Sequence, residues 1–224
     1  MRCKKIFPVA LILFLSCLLS LTGCGAGGLT GGPVIVSQMG SIHFGSIGAT
    51  RVIVGEVRNT GDTALRFIKI EATHFTGEGK VHATSHAYVI TKGLLPGEKA
   101  PFAFIEATSA GAMKFNLEII SFKETDIQPY RDFEVIEQES SISYMDLYTI
   151  VGSFKNIGTS SAVGPTIAAT CYSNEGEVIG VGWQTKGQLE PGETTDFDVW
   201  VYPWASAEEI DDCTLQIEAE VSGD

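Results

Sequence analysis

The sequence lacks the residue patterns that carry most familiar catalytic chemistry. It contains no G-x-S-x-G, no P-loop, no H-E-x-x-H and no C-x-x-C, so hydrolase, phosphoryl-transfer, zinc-protease and dithiol activities have no motif to support them. Long periodic helices are missing, and no apolar run that could span a bilayer follows residue 24. We therefore expect a protein that is not an enzyme, holds no cofactor and acts by binding.

Basic charge is also scarce. The chain has 15 Lys and Arg against 27 Asp and Glu. Three of the basic residues, Arg2, Lys4 and Lys5, lie at the very start, whereas every acidic residue lies after residue 24. An acidic body of this kind is a poor partner for nucleic acid or for anionic lipid.

The first 23 residues have the features of an export signal. The basic start is followed by an apolar run from Ile6 to Leu21, which ends at Leu21-Thr22-Gly23-Cys24. This ending resembles the lipobox of bacterial lipoproteins, in which the signal is cut before the cysteine and the thiol is lipidated. The resemblance implies an extracytoplasmic protein of the cell envelope, anchored to a membrane by lipid on Cys24. The alternative is an uncleaved membrane anchor.

A tandem repeat follows a glycine-rich tether at 24–33. VIVGEVRNTG at 52–61 matches TIVGSFKNIG at 149–158, and IEATHFTGEGKV at 70–81 matches IAATCYSNEGEV at 167–178, both shifted by 97 residues. LLPGE at 94–98 then matches LEPGE at 189–193. Such regular self-similarity indicates a duplicated unit.

Each unit has the pattern of a small β-domain. Apolar and polar residues alternate with period two, and Asn-x-Gly and Pro-Gly-Glu segments mark turns, where Asn and Gly tolerate positive φ. We predict an all-β protein with two tandem Ig-like or fibronectin-like antiparallel β-sandwiches, at 34–124 and 130–224, joined by a linker at 125–129.

The repeated motifs resemble a known family. V-x-G-x-x-x-N-x-G, an aromatic residue before a turn glycine, and Pro-Gly-Glu followed by Phe are similar to the FxLYD domain of secreted and lipid-anchored prokaryotic proteins. Phe75-Thr76 and Tyr172-Ser173 stand where that family has a Tyr-Asp pair. The resemblance implies an extracytoplasmic β-sandwich and no particular activity.

Two cysteines remain in the second repeat, Cys171 and Cys213, each sharing strand parity with apolar residues. In an exported protein we expect them to form a disulfide, the alternative being two buried free thiols. The matching residues of the first repeat are His74 and Phe115. His82 and His86 are four residues apart on a strand, which separates them by roughly 13 Å, so we expect no shared metal ion.

An aromatic stripe is the one candidate binding surface. In DFDVWVYPWAS at 196–206, Trp200, Tyr202 and Trp204 fall on the face opposite Phe197 and Val199. Exposed aromatic residues are typical of interfaces, so a protein or glycan of the envelope is the expected partner. The stripe could instead pack against the first repeat or the linker. A second hypothesis is a small solute captured between the two domains.

Overall fold

A computed structural model of the protein describes residues 31–45, 48–108, 112–143, 147–203 and 206–222, with side chains throughout except at 41–50 and 107–113. The first repeat contains strands β1 (Pro33–Gly45), β2 (Gly48–Asn59), β3 (Ala64–Thr76), β4 (Val81–Tyr88), β5 (Lys99–Thr108) and β6 (Ala112–Thr125). The second contains β7 (Phe133–Ile142), β8 (Tyr148–Asn156), β9 (Ala162–Tyr172), β10 (Val178–Thr185), β11 (Thr194–Pro203) and β12 (Asp212–Val221), with a 3₁₀ turn at Ala207–Glu209.

The two repeats have the same antiparallel connectivity. In the first, β1-β2-β5 forms one sheet and β4-β3-β6 forms the other. In the second, β7-β8-β11 and β12-β9-β10 are the corresponding halves, and pairing between β10 and β11 joins them into one six-stranded sheet. The all-β, antiparallel, sandwich-like fold expected from the alternating pattern is thus confirmed. Within the described residues, no helix is long and apolar enough to cross a membrane.

Each repeat has its own core, built from the inward-facing residues of both halves. Ile53, Ile70 and Phe102 are fully buried in the first repeat, as are Ile150 and Ile167 in the second. Phe102 and Phe197 each lie against the glycine of the V-x-G motif. A Cβ on Gly55 would stand 2.6 Å from the Phe102 ring, and one on Gly152 would stand 2.8 Å from the Phe197 ring. The repeated glycine therefore makes room for the repeated phenylalanine.

Hydrogen bonds join the Asn-x-Gly motif to the Pro-Gly-Glu segment in each repeat. Asn59 is fully buried, and its side-chain amide donates to the Thr63 and Leu94 carbonyls at 2.8 and 2.9 Å. The backbone N–H of Gly97 donates to the Asn59 carbonyl at 2.9 Å. Asn156 makes the same bonds to Ser160, Leu189 and Gly192. Removing the buried side-chain amide would leave several backbone groups unpaired, so these hydrogen bonds stabilise the domain.

The conformational reason given for Asn-x-Gly is wrong in both repeats. Neither Asn59 nor Asn156 has a positive φ, and neither does the glycine two positions on. Gly158 is instead required by close approach, since a Cβ there would lie 2.0 Å from the Tyr130 hydroxyl. The turn glycines Gly97 and Gly192 do have positive φ values, of 82° and 80°, as a proline-glycine turn demands.

Candidate functional site

The two predicted cysteine positions face each other on neighbouring strands. Cys171 on β9 pairs in register with Cys213 on β12, and the structure joins them in a disulfide. The Cys171 side chain is fully buried. In the first repeat the same register places His74 opposite Phe115. The bridge thus occupies a cross-strand position that the first repeat fills with a histidine and a phenylalanine. The predicted lipidation residue, Cys24, lies outside the described residues.

The aromatic stripe is divided by the contact between the repeats. Trp200 is 52% exposed on the outer face of β11. Tyr202, two residues further on, packs against the cluster formed by Val52 and Val54 of the first repeat and Val181 of the second. Trp204 lies outside the described residues. The stripe is therefore partly a contact between repeats and partly an outward-facing surface.

We call the buried contact between the two repeats the seam. The outer face of β2 forms the first repeat's side of it. Val52 and Val54 are at most 4% exposed, although they point away from the sandwich core that holds Ile53 and Val57. Val178 and Val181 of β10 cover them. Both faces of β2 are buried as a result, which explains its continuous apolar run at 52–54.

A buried carboxylate crosses the seam beside this cluster. Glu56 is 4% exposed; it accepts a hydrogen bond from the Tyr172 hydroxyl at 2.9 Å and forms an ion pair with Lys99 at 3.1 Å. Burial, together with the hydrogen bond to Glu56, raises the pKa of Tyr172 to about 12. The tyrosine hydroxyl is thus held as a donor between the two repeats.

A second buried carboxylate organises the opposite side of the seam. The Glu218 side chain is 2% exposed and accepts from the backbone N–H groups of Lys92 and Gly93 at 2.8 and 3.2 Å. Arg131 donates to Glu218 at 2.9 Å and holds Glu98 with two nitrogens at 2.6 and 2.8 Å. The hydrogen bonds between Arg131 and Glu98 raise the pKa of the arginine and lower that of the carboxyl. This network ties Arg131, two residues after the predicted linker, to Glu98 of the first repeat and to Glu218 of the second.

The far end of the first sandwich contains a polar cluster in place of an apolar core. Arg51 and His74 are 4% and 3% exposed. The Arg51 guanidinium donates to His74 Nδ1, while His74 Nε2 lies 3.0 Å from Ser85 Oγ and 3.3 Å from Glu106. Burial, and to a lesser extent Arg51, lowers the pKa of His74 against the opposing effect of Glu106. Because a guanidinium can only donate, Nδ1 of His74 is the acceptor and the ring proton is on Nε2.

This cluster opens into a cleft that the second repeat does not have. In the second repeat β10 pairs with β11 at Gly180–Gly182, where a Cβ on Gly182 would stand 2.4 Å from the Trp200 carbonyl oxygen. The strand registers place Ala83 and Ser85 at the positions of these two glycines. Their Cβ atoms are incompatible with such close approach, and β4 and β5 belong to separate sheets.

Residues of the second repeat form the outer wall of the cleft. A groove of about 580 Å³ is lined by His86, Phe104 and Glu106 of the first repeat together with Trp183 and Tyr202 of the second. The Trp183 and Tyr202 rings lie 6.4 Å apart at an angle of 46°. Trp183 is 40% exposed, so its ring is available to a ligand.

A second hollow continues the groove along the seam. It measures about 300 Å³ and shares Trp183 and Ala103 with the first one. Tyr88, Lys92 and Thr185 are among its other lining residues. Trp183 therefore stands between two neighbouring hollows, each bounded by both repeats.

The remaining histidines of β4 do not meet at a common point. His86 forms a hydrogen bond with Glu71 across the strand pair at 3.0 Å, and His82 lies four residues away on β4. Among the residues that the structure describes, no group of three or more His, Cys, Asp or Glu side chains could hold a metal ion.

Several of these residues were missed by the sequence reasoning. Arg131, Glu98 and Glu218 looked like ordinary surface charges, because their partners lie on different strands. The cleft had a readable signal, since the aligned repeats differ at His74 against Cys171 and at Ser85 against Gly182. Comparing the two copies position by position would have singled out this cluster.

The fold and the groove define an antiparallel β-sandwich protein whose two repeats share a buried seam. Comparison with protein-family models gives no match to this chain, and comparison with curated proteins gives none either. The resemblance to the FxLYD domain therefore stays a prediction from the motifs.

Proposed function

We propose that the protein is a lipid-anchored extracytoplasmic module of the cell envelope that acts by binding and not by catalysis. Its predicted anchor is lipid on Cys24, and its predicted partner is an envelope protein or glycan. The observation that carries the proposal is the exposure of Trp200, which is 52% exposed although the neighbouring Tyr202 packs into the seam. Large exposed aromatic side chains are favoured at the centres of interfaces.

The surroundings of Trp200 support a contact surface. Val151, on the adjacent strand β8, is 41% exposed. The two residues thus place apolar area on the outer face of β7-β8-β11, among polar side chains such as Asp198. A small apolar centre with a polar rim is the usual composition of a transient protein interface.

The polar cluster of the first repeat supports a role without catalysis. His74 receives a hydrogen bond from Arg51 on Nδ1, so its proton is on Nε2, the nitrogen that faces Ser85. An imidazole in this state cannot accept the serine proton, and a serine nucleophile needs such a base. The cluster therefore does not have the arrangement of a hydrolytic triad.

Photocrosslinking in living cells tests the proposed contact. A photoreactive residue is placed at Trp200, with the same residue at His82 as the matched control on the first repeat. We expect a discrete adduct from position 200 alone, which mass spectrometry would identify. No adduct from position 200, or an equal one from position 82, would contradict the proposal, and a Cys24→Ser variant that stays in the membrane fraction would contradict the lipid anchor.

A second candidate is the capture of a small solute between the repeats. The groove bounded by Trp183 and Glu106 favours it, because ligand sites are concave, aromatic-lined and often lie between domains. The groove is lined by Trp183 and Tyr202 but not by Trp200, so variants at positions 183 and 200 can separate the two candidates.

A further inference from the structure

We infer that the cleft between β4 and β5, together with Trp183 and Tyr202, binds a neutral polyhydroxylated ligand, namely a segment of a carbohydrate chain. This inference rests on the proposed binding role and names a ligand class for the groove. It begins from the difference between two copies of one structural unit.

The cleft is the place where the first repeat departs from the second in structure. Ser85 replaces the glycine that lets β10 approach β11, and Glu106 occupies the position at which Val201 closes the second sandwich. His74 stands in place of the bridged Cys171. These changes turn a closed apolar edge into an open polar one within the same framework.

The buried polar groups beside this edge require an explanation, because burying polar groups lowers the stability of the fold. Arg51 is 4% exposed inside the sandwich, and burial lowers the pKa of its guanidinium. An apolar filling of the kind present in the second repeat would avoid this cost. What the arrangement achieves is a fixed position for Glu106, which is 28% exposed and faces the groove.

The carboxylate that faces the groove already has an opposing charge. Glu106 lies beside His74 and is opposed by the charge of Arg51. A fixed charge on a ligand would therefore gain little net electrostatic energy. The carboxylate of Glu106 nevertheless keeps lone pairs free to accept hydrogen bonds from hydroxyl groups.

The aromatic side chains supply the second half of the recognition. Trp183 and Tyr202 present tilted rings 6.4 Å apart beside the carboxylate. Ring faces take up the apolar C–H faces of a sugar, while the polar groups take up its hydroxyls, so one mixed surface suits a pyranose. Because Trp183 borders both hollows along the seam, two consecutive sugar units fit better than one isolated solute.

The test is a nuclear magnetic resonance titration of the mature protein with chitohexaose and cellohexaose. We expect shifts of the Trp183 indole N–H signal and of the backbone amide signals of His86 and Ile105, which line the cleft, with a dissociation constant of about 1 mM or tighter. The backbone amide signals report binding in the variant at position 183. Trp183→Ala should weaken binding roughly tenfold or more, and Glu106→Gln by several-fold. Phe122→Ala, the matched control, removes a 45% exposed aromatic side chain that lines neither hollow and should leave the titration unchanged.

Two further variants keep the result interpretable. Ala83→Gly with Ser85→Gly restores the glycines of the second repeat and should weaken binding while preserving the dispersed spectrum of a folded protein. The inference is overturned if neither oligosaccharide moves the Trp183 signal, or if a basic peptide moves it and the sugars do not. If the photoreactive residue at position 200 gave an adduct in cells but the titration showed no sugar binding, the carbohydrate inference would be overturned. The proposed contact with an envelope protein would then still hold.

Discussion

The buried network around Glu218 yields a prediction whose size follows from the structure. Glu218 has a 2% exposed side chain, and its partners are Arg131 and the two N–H groups of Lys92 and Gly93. Removing one member of a buried ion pair typically costs 3–5 kcal/mol, because the other charge is left without compensation. For Arg131→Met we expect the lower end, about 3 kcal/mol, since the two backbone donors remain and Arg131 is partly exposed.

A double-mutant cycle separates the interaction from the loss of packing. Glu218→Gln keeps an acceptor for the two backbone donors but removes the charge, so we expect a loss of about 1–2 kcal/mol. In the double variant neither charge is buried without a partner. The coupling energy between positions 131 and 218 should therefore be about 1.5–3 kcal/mol.

The assay is urea unfolding of the protein at neutral pH, followed by tryptophan fluorescence and circular dichroism. The control cycle uses Lys80 and Glu78, an ion pair at 2.9 Å whose side chains are 78% and 77% exposed. Exposed pairs contribute little, so their coupling should stay below about 0.5 kcal/mol. If the two cycles gave equal coupling energies, the buried carboxylate would not hold the seam together and the reasoning would be refuted.

Three further predictions concern single features of the fold. Reducing the Cys171–Cys213 bridge should lower the unfolding free energy by about 4 kcal/mol in the chain-entropy treatment of a 42-residue separation, as urea unfolding with and without reductant will measure; equal midpoints would contradict this. Phe67 is 60% exposed with a φ of 52°, where the second repeat has Gly164 at 59°, so Phe67→Asn should raise stability by about 0.5–1 kcal/mol; a destabilised variant would show that the phenylalanine is not strained. Because the pKa of His74 is lowered in the folded state, its stabilising contribution is complete above its ordinary pKa and is lost as the pH falls below that value. Between pH 7 and pH 5 the free energy of unfolding should therefore change less in His74→Gln than in the unaltered protein. An equal change in both proteins would refute the neutral imidazole.

The fold was accessible from the sequence because its signals are local. Alternation of apolar and polar residues reports which face of a strand is buried, and the spacing of repeated motifs reports the duplication. The disulfide between Cys171 and Cys213 was expected from strand parity together with the predicted export, with two buried free thiols as the alternative, and the structure contains the bridge. The same reasoning gave the wrong cause for Asn59, because hydrogen bonds to Leu94 and Thr63 depend on chain segments that only the fold brings together.

The division of the aromatic stripe could not be read in advance. Parity places Trp200 and Tyr202 on one face, but whether that face meets solvent or the other repeat depends on how the two sandwiches pack. The same holds for Glu56 and Glu218, which have no sequence feature that distinguishes them from the many exposed acids of the chain.

The sequence by itself determined the all-β architecture and the duplicated motif order, because periodicity and motif order are properties of the chain, and it predicts a lipid anchor at Cys24. Only the tertiary structure decided that β2 is covered on both faces and that Trp183 and Glu106 line one groove. It also decided that two carboxylates are buried between the repeats. The physical reason is that burial and charge compensation are set by neighbours distant in sequence, and no pattern along one strand records them.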